Sequence, residues 1–279
     1  MHRRTVLKSS LAALAFARTG WAQDDEGWRT FEVVTRVDIA EASGVTRAWL
    51  PLPSAAYGEY QRVLTQRWRG SSPILRAERD TPAAMLYAEW PAGHETREVE
   101  LTFRVAVRDR SADWSTRTSR STPQRTLNKY LSGVAADIRA EARRIAAGES
   151  DAVSKARAIY EWVVEHHPAR VRGTSFVRFA RAAGVPARTV SGLHIPPGSG
   201  ATAPYERAEF HSPIHGWVPV DPAAASDPYR RRQMFGSWKP DWVALNEASM
   251  MHPRAEAGGR PLDSATAAFR HTTTARDLS

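Results

Sequence analysis

Twice between Phe31 and Val107 the chain places an apolar or β-branched side chain at every second position, and that period confines the first third of the molecule to strands with one buried face. The first run is Phe31, Val33, Thr35, Val37 and Ile39, with mostly charged residues between. The second is Val99, Leu101, Phe103, Val105 and Val107, with Glu98, Glu100, Thr102 and Arg104 opposite. Shorter strand patterns at 46–52, 62–68, 74–78 and 85–90 are separated by turn clusters such as Gly70-Ser71-Ser72-Pro73. Short strands spaced by turns predict an antiparallel, β-sandwich-like domain over 24–110. Residues 111–126, rich in Ser, Thr and Arg, read as a linker.

Beyond residue 127 the period lengthens. Val134, Ile138, Ala142 and Ile145 lie at helical spacing, and Gly148 supplies a stop. Ser150 or Asp151 caps a second helix that carries Val153, Ala156, Tyr160, Val163 and Val164 on one face and ends at Pro168. A third helix, predicted over 174–183, ends at Gly184. Its tight entry from Pro168 implies apolar surface left open at Phe176 or Val177. Strands are expected at 187–195, 205–211 and 217–220, with 196–204 a loop that has nothing to pack against. Helices followed by an antiparallel sheet make the fold class α+β, with the second domain running over 127–279.

Charge and composition narrow the function. Residues 1–22 have the form of an export signal: Arg3-Arg4 before Lys8, a short apolar stretch, and small residues Gly20 and Ala22 before a cleavage point. The arginine pair resembles a twin-arginine signal; a plain basic leader is the alternative, and either places the protein in the periplasm or outside the cell. The net charge of +9 includes four arginines and lysines from that segment. No basic stripe interleaved with aromatics stands out, so nucleic acid is not an expected partner. No stretch of the mature chain reaches the roughly 20 apolar residues of a transmembrane helix. The chain contains no cysteine. Disulfides, thiolate metal sites and a thiol nucleophile are therefore excluded.

Three stretches carry a family likeness: KARAIYEWVVEH at 155–166, FARAAGVPAR at 179–188, and RAEFHSPIHGWVPVDPA at 207–223 followed by FGSWKPDWVALNEA at 235–248. In order and character they resemble the bacterial transglutaminase-like superfamily, which shares the papain-like thiol fold. The resemblance implies a cysteine–histidine–aspartate triad, in which a thiolate at a helix N-terminus attacks a carbonyl, histidine moves the proton and aspartate orients the imidazole. Position by position, the triad aspartate falls on Asp221 and the histidine on Tyr205. The cysteine register falls on Ala169, in a run His166-His167-Pro168-Ala169-Arg170 that has lost the usual Gly-Gly-x-Cys turn. One catalytic position is thus lost by substitution and one by deletion.

Substitutes are few. His211 lies six residues past Tyr205 on the same strand, roughly 20 Å away at about 3.3 Å per residue. His194, on the preceding strand, is placed to neighbour Asp221. Thr174 and Ser175 open the third helix, where a hydroxyl serves first as an N-cap. His211 and His215 are spaced by four, but Pro213 and Gly216 forbid the helix that would align them on a metal. No cofactor is implied. Trp238 and Trp242 read as a packing pair, and Arg207 and Glu209 as a surface ion pair worth at most about 1 kcal/mol. The expectation is a non-catalytic exported protein that binds a peptide or cell-wall fragment. The alternative is an amide-bond hydrolase or acyltransferase with a non-cysteine nucleophile.

Overall fold

The computed structural model describes residues 27–40, 42–78, 83–115, 122–247, 252–263 and 268–279. The segment 1–22, expected to be an export signal, and part of the expected 111–126 linker lie outside them. The two alternating runs become the long strands β1 (Trp28–Ile39) and β6 (Glu98–Arg108), and the patterns between them become β2 (Thr46–Pro51), β3 (Gln61–Gly70), β4 (Ile74–Glu78) and β5 (Met85–Trp90). β7 is a two-residue strand, Arg110–Ser111. Helices follow: α1 (Gln124–Asn128), α2 (Ala136–Ile145), α3 (Ala152–His166) and α4 (Arg172–Ala182), with a 3-10 turn, Ala169–Val171, ahead of the last. Then come β8 (Ala187–His194), β9 (Ser199–Ala201), β10 (Ala203–Ser212), β11 (Gly216–Val220), α5 (Pro228–Gln233), β12 (Ser237–Trp238), β13 (Trp242–Asn246), β14 (Arg254–Ala257), β15 (Arg260–Leu262) and β16 (Phe269–Asp277).

The strands form an antiparallel α+β architecture. One sheet runs β3-β6-β1-β16-β9, a second β15-β14-β2-β5-β4, and a third β11-β10-β8-β13, beside which β7 pairs β12. The first two sheets enclose Phe31, Val33, Leu50, Leu86, Trp90, Leu101 and Phe103. Each such side chain contributes about 1.5–3 kcal/mol by leaving water. Leu193, Ile195, Val243 and Leu245 from the third sheet enter the same core, so the two halves share apolar contacts.

The chain's end corrects the expected boundary. β16 lies between β1 and β9, pairing Phe31 with Asp277 through to Ile39 with Phe269, and β14 pairs with β2. Strands β14, β15 and β16 therefore complete the sandwich rather than extend the helical domain. Their inward positions include His271 and Thr273, which blur the apolar alternation. The 196–204 segment is likewise not idle, since β9 within it hydrogen-bonds to β16.

Helices α2, α3 and α4 pack on one face of the third sheet around Ile138, Tyr160, Phe176, Val177, Phe210 and Phe235. Phe176 is 0% and Val177 4% exposed, so the shortened entry to α4 leaves no open apolar wall at either. Asp151 caps α3 as expected, accepting from Val153 and Ser154 backbone N–H groups in a capping box.

Candidate functional site

Strand β10 has two different faces. Ala208 and Phe210 turn toward the helices, whereas Tyr205, Arg207, Glu209 and His211 share the opposite face. That polar face is buried too: Arg207 is 2%, Glu209 0% and His211 3% exposed. Charges removed from water need partners, and these have them. Arg207 and Glu209 are not the surface pair that their spacing implies. Glu209 binds Arg110 and Arg188, and Arg207 binds two aspartates.

Asp221 follows β11 and faces Arg207. Its Oδ1 accepts the Tyr205 hydroxyl at 2.9 Å and the Ala224 backbone N–H at 3.1 Å. Its Oδ2 lies 2.9 Å from Arg207 Nε, an ion pair off the hydrogen-bond direction. Arg207 also reaches Asp241 Oδ1 at 2.8 Å and the Lys239 carbonyl at 3.0 Å. At the rim, His194 Nε2 is 3.8 Å from Asp241 Oδ2 and its ring centroid 5.9 Å from that of Tyr205. His194 thus neighbours Asp241, not Asp221. The Trp242 indole donates to the Tyr205 carbonyl at 3.2 Å and lies against Gly192, where a Cβ would come within 2.4 Å of the ring. Only glycine fits there.

Tyr205 and Asp221, the positions carried over for histidine and aspartate, therefore meet directly. Their chemistry differs from the family's. Burial, then the Asp221 charge, pushes the Tyr205 phenol well above its ordinary value. It stays protonated and donates to Asp221, so it cannot accept a proton from a nucleophile at neutral pH. Ala169, in the cysteine register, is exposed in the 3-10 turn and offers only a methyl group. The first residue of α4 is Arg172, whose guanidinium donates to the carbonyls of Val164, His167 and Pro222. It caps the C-terminus of α3, where a cation is favoured by the helix dipole.

Neither hydroxyl near this helix start is an N-cap. Thr174 donates to the Glu206 carboxylate at 2.8 Å, and Ser175, 8% exposed, lies 3.1 Å from His167 Nδ1. Burial, then the neighbouring His166, Arg178 and Arg172 charges, lowers the His167 pKa. His211 bonds Thr122 and meets Trp217 edge to face, while His215 packs edge-on against Trp114. Among the described residues, no group of three or more His, Cys, Asp or Glu side chains could hold a metal ion, and no helix is long and apolar enough to cross a membrane.

The residues missed by sequence reasoning are Arg207, as the clamp on Asp221, and Asp241. A signal was present: polar residues at every second position of a strand whose other face is apolar. It reads as a solvent face until the packing against Trp238 and Trp242 is known.

Residues 172–222 match the family model described as the transglutaminase-like superfamily. A curated but uncharacterised protein of Haemophilus influenzae is 23% identical, with 92% of this chain and 93% of the relative covered. That alignment runs over 346 residues against 279 here, so the relative carries segments that this chain lacks. A crystal structure from Cytophaga hutchinsonii, provisionally named a cysteine protease, has the same fold: TM-score 0.61, 12% identity, 91% of this chain and 92% of that one.

Proposed function

With a transglutaminase-like core that contains no cysteine as the premise, we propose that this is an exported, non-catalytic member of that superfamily which acts by binding a peptide or cell-wall fragment. One observation carries the reading. Asp221 is fully buried and faces groups other than an imidazole: its Oδ1 accepts from Tyr205 and Ala224, and its Oδ2, which makes no hydrogen bond, lies in an ion pair with Arg207. The triad's aspartate has become a structural acceptor. The exposed part of the site is its rim, where His194 and Asp241 side chains are 40% and 39% exposed beside Tyr205. An imidazole, a carboxylate and an aromatic edge suit the N–H and C=O groups of an amide chain. Export rests on the form of residues 1–22.

The experiment is an amine-incorporation and amidase assay on purified protein, with binding to peptides and wall fragments measured in parallel. Product no faster than a heat-killed control, with binding weakened by the double change His194→Ala and Asp241→Ala, is the expected result. Absence of binding to every peptide and wall fraction removes the reading.

The Ser175–His167 contact favours a second reading, an amide-bond hydrolase with a hydroxyl nucleophile. His167 is held neutral, as a base must be, but the charges it feels are cationic, whereas a triad places a carboxylate there. Ser175→Ala decides the matter. Equal, non-zero rates in wild type and variant eliminate Ser175, and a rate abolished by the change eliminates the non-catalytic reading.

A further inference from the structure

The outer face of the β3-β6-β1-β16-β9 sheet is an arginine surface. Register places Arg67 and Arg69 of β3, Arg104 of β6, Arg36 of β1, and Arg270 and Arg276 of β16 on this one side. Five of these guanidiniums share two carboxylates. Glu32 faces Arg67, Arg104 and Arg276 at 3.9, 2.8 and 2.8 Å, and Glu100 faces Arg36 and Arg69 at 2.7 and 3.0 Å. Heights differ as well. Glu32 and Glu100 side chains are 13% and 18% exposed, while Arg67, Arg69, Arg36 and Arg276 are 72%, 80%, 60% and 60% exposed. The carboxylates are sunk between the strands and the guanidiniums stand above them, fixed at their inner ends. Two further carboxylates of this face are exposed, Asp38, which meets Arg270 at 3.1 Å, and Glu98, so the six guanidiniums outnumber four carboxylates and leave a modest excess of positive charge.

An open groove of about 760 Å³ crosses the strands here, lined by Arg36, Arg69 and Arg270 and also by Asp38, Glu98 and Glu100, so the excess of positive charge belongs to the face as a whole. Guanidinium forks match carboxylates bidentately, and an array anchored from below loses little freedom on binding. We propose that this face binds an acidic polysaccharide, lying across the strands with its carboxylates on the arginines. A single-stranded nucleic acid would need aromatic platforms for its bases. Trp28, at the end of this sheet, has Arg62 at 4.2 Å and Arg108 at 4.9 Å from its ring centroid, so it is already occupied. The surface is separate from the rim at His194 and Asp241, and the two are tested independently.

The test uses the whole protein and polygalacturonate as a carboxylate-only probe, with neutral dextran as control. Binding at 50 mM salt that falls at least about tenfold by 200 mM, and falls about tenfold again in the double change Arg67→Gln and Arg69→Gln, is expected, since each lost cation removes a released counterion. His194→Ala leaves this binding unchanged. Three results overturn the proposal: affinity for polygalacturonate no higher than for dextran, equal loss in the exposed α2 double change Arg139→Gln and Arg143→Gln, or tighter binding to single-stranded DNA or anionic vesicles than to the glycan. Unchanged circular dichroism and unfolding midpoint in the Arg67/Arg69 variant show that lost binding is not lost folding.

Discussion

Glu209 and Asp221 lie on the same face of the third sheet, both 0% exposed and both held by arginine, yet they join different parts of the molecule. Glu209 draws Arg110 from β7, at the end of the sandwich, and Arg188 from β8. Arg188 reaches on to Glu247, which accepts the Tyr130 hydroxyl at 2.8 Å. Asp221 is held locally, by Tyr205 and Arg207 on the neighbouring strand and by Ala224 in its own turn. The first carboxylate ties remote segments together. The second ties a hairpin to its turn, beside Tyr205. A buried charge that joins distant segments is constrained by the whole fold, whereas one that joins neighbours can exchange partners while the frame persists.

The largest effect is therefore expected at Glu209. Glu209→Gln leaves Arg110 and Arg188 facing each other without their shared carboxylate, a loss of about 3–5 kcal/mol by urea unfolding at pH 7. Burial alone would raise the Glu209 carboxyl, but the Arg110 and Arg188 guanidiniums outweigh it and hold it below 4.5. A depressed carboxyl stabilises the folded state above its unfolded value and loses that contribution as pH falls through the folded one. The gap between wild type and variant is thus full above about pH 4.5 and narrows in acid. A gap that widens as the pH falls would contradict the pairing.

Asp221→Asn is the middle case. Arg207 keeps Asp241 as a second carboxylate, so the buried cation is not left alone. The expected loss is about 2 kcal/mol, below that of Glu209→Gln. If the two substitutions cost the same, Asp221 is as deeply built into the fold as Glu209, and the contrast between remote and local anchoring fails.

How far each anchor could be read from sequence follows the same division. Phe31 to Ile39 and Val99 to Val107 announced their strands because alternation is a local property, and Asp151 announced its cap for the same reason. Asp221 and Tyr205 were singled out through family likeness, but that they touch was not part of the reading. Glu209 was not. Its partners are 99 and 21 residues away, and nothing near Arg110 indicates that it turns inward. Strand β16 was hidden by composition: His271 and Thr273 sit where an alternating strand would show apolar residues, and its partner β1 lies more than two hundred residues earlier. Arg207 was read as a surface cation because alternation shows which residues share a face, not which face the rest of the chain covers.

Tyr205→Phe gives the smallest effect and the sharpest test of the local site. The change removes one hydroxyl and keeps the ring that packs beside His194. Hydrogen bonds to an ionised acceptor contribute about 1.5–3 kcal/mol, but Asp221 keeps Ala224 and Arg207, and Tyr205 is only half-buried, so a loss near 1 kcal/mol is expected. A double-mutant cycle with Asp221→Asn should return a coupling of similar size, because the two groups touch and share one contact. A coupling indistinguishable from zero would mean that the hydroxyl does not hold the carboxylate in solution. Asp221 would then rest on Ala224 and Arg207 alone, and Tyr205 would have no part in fixing it.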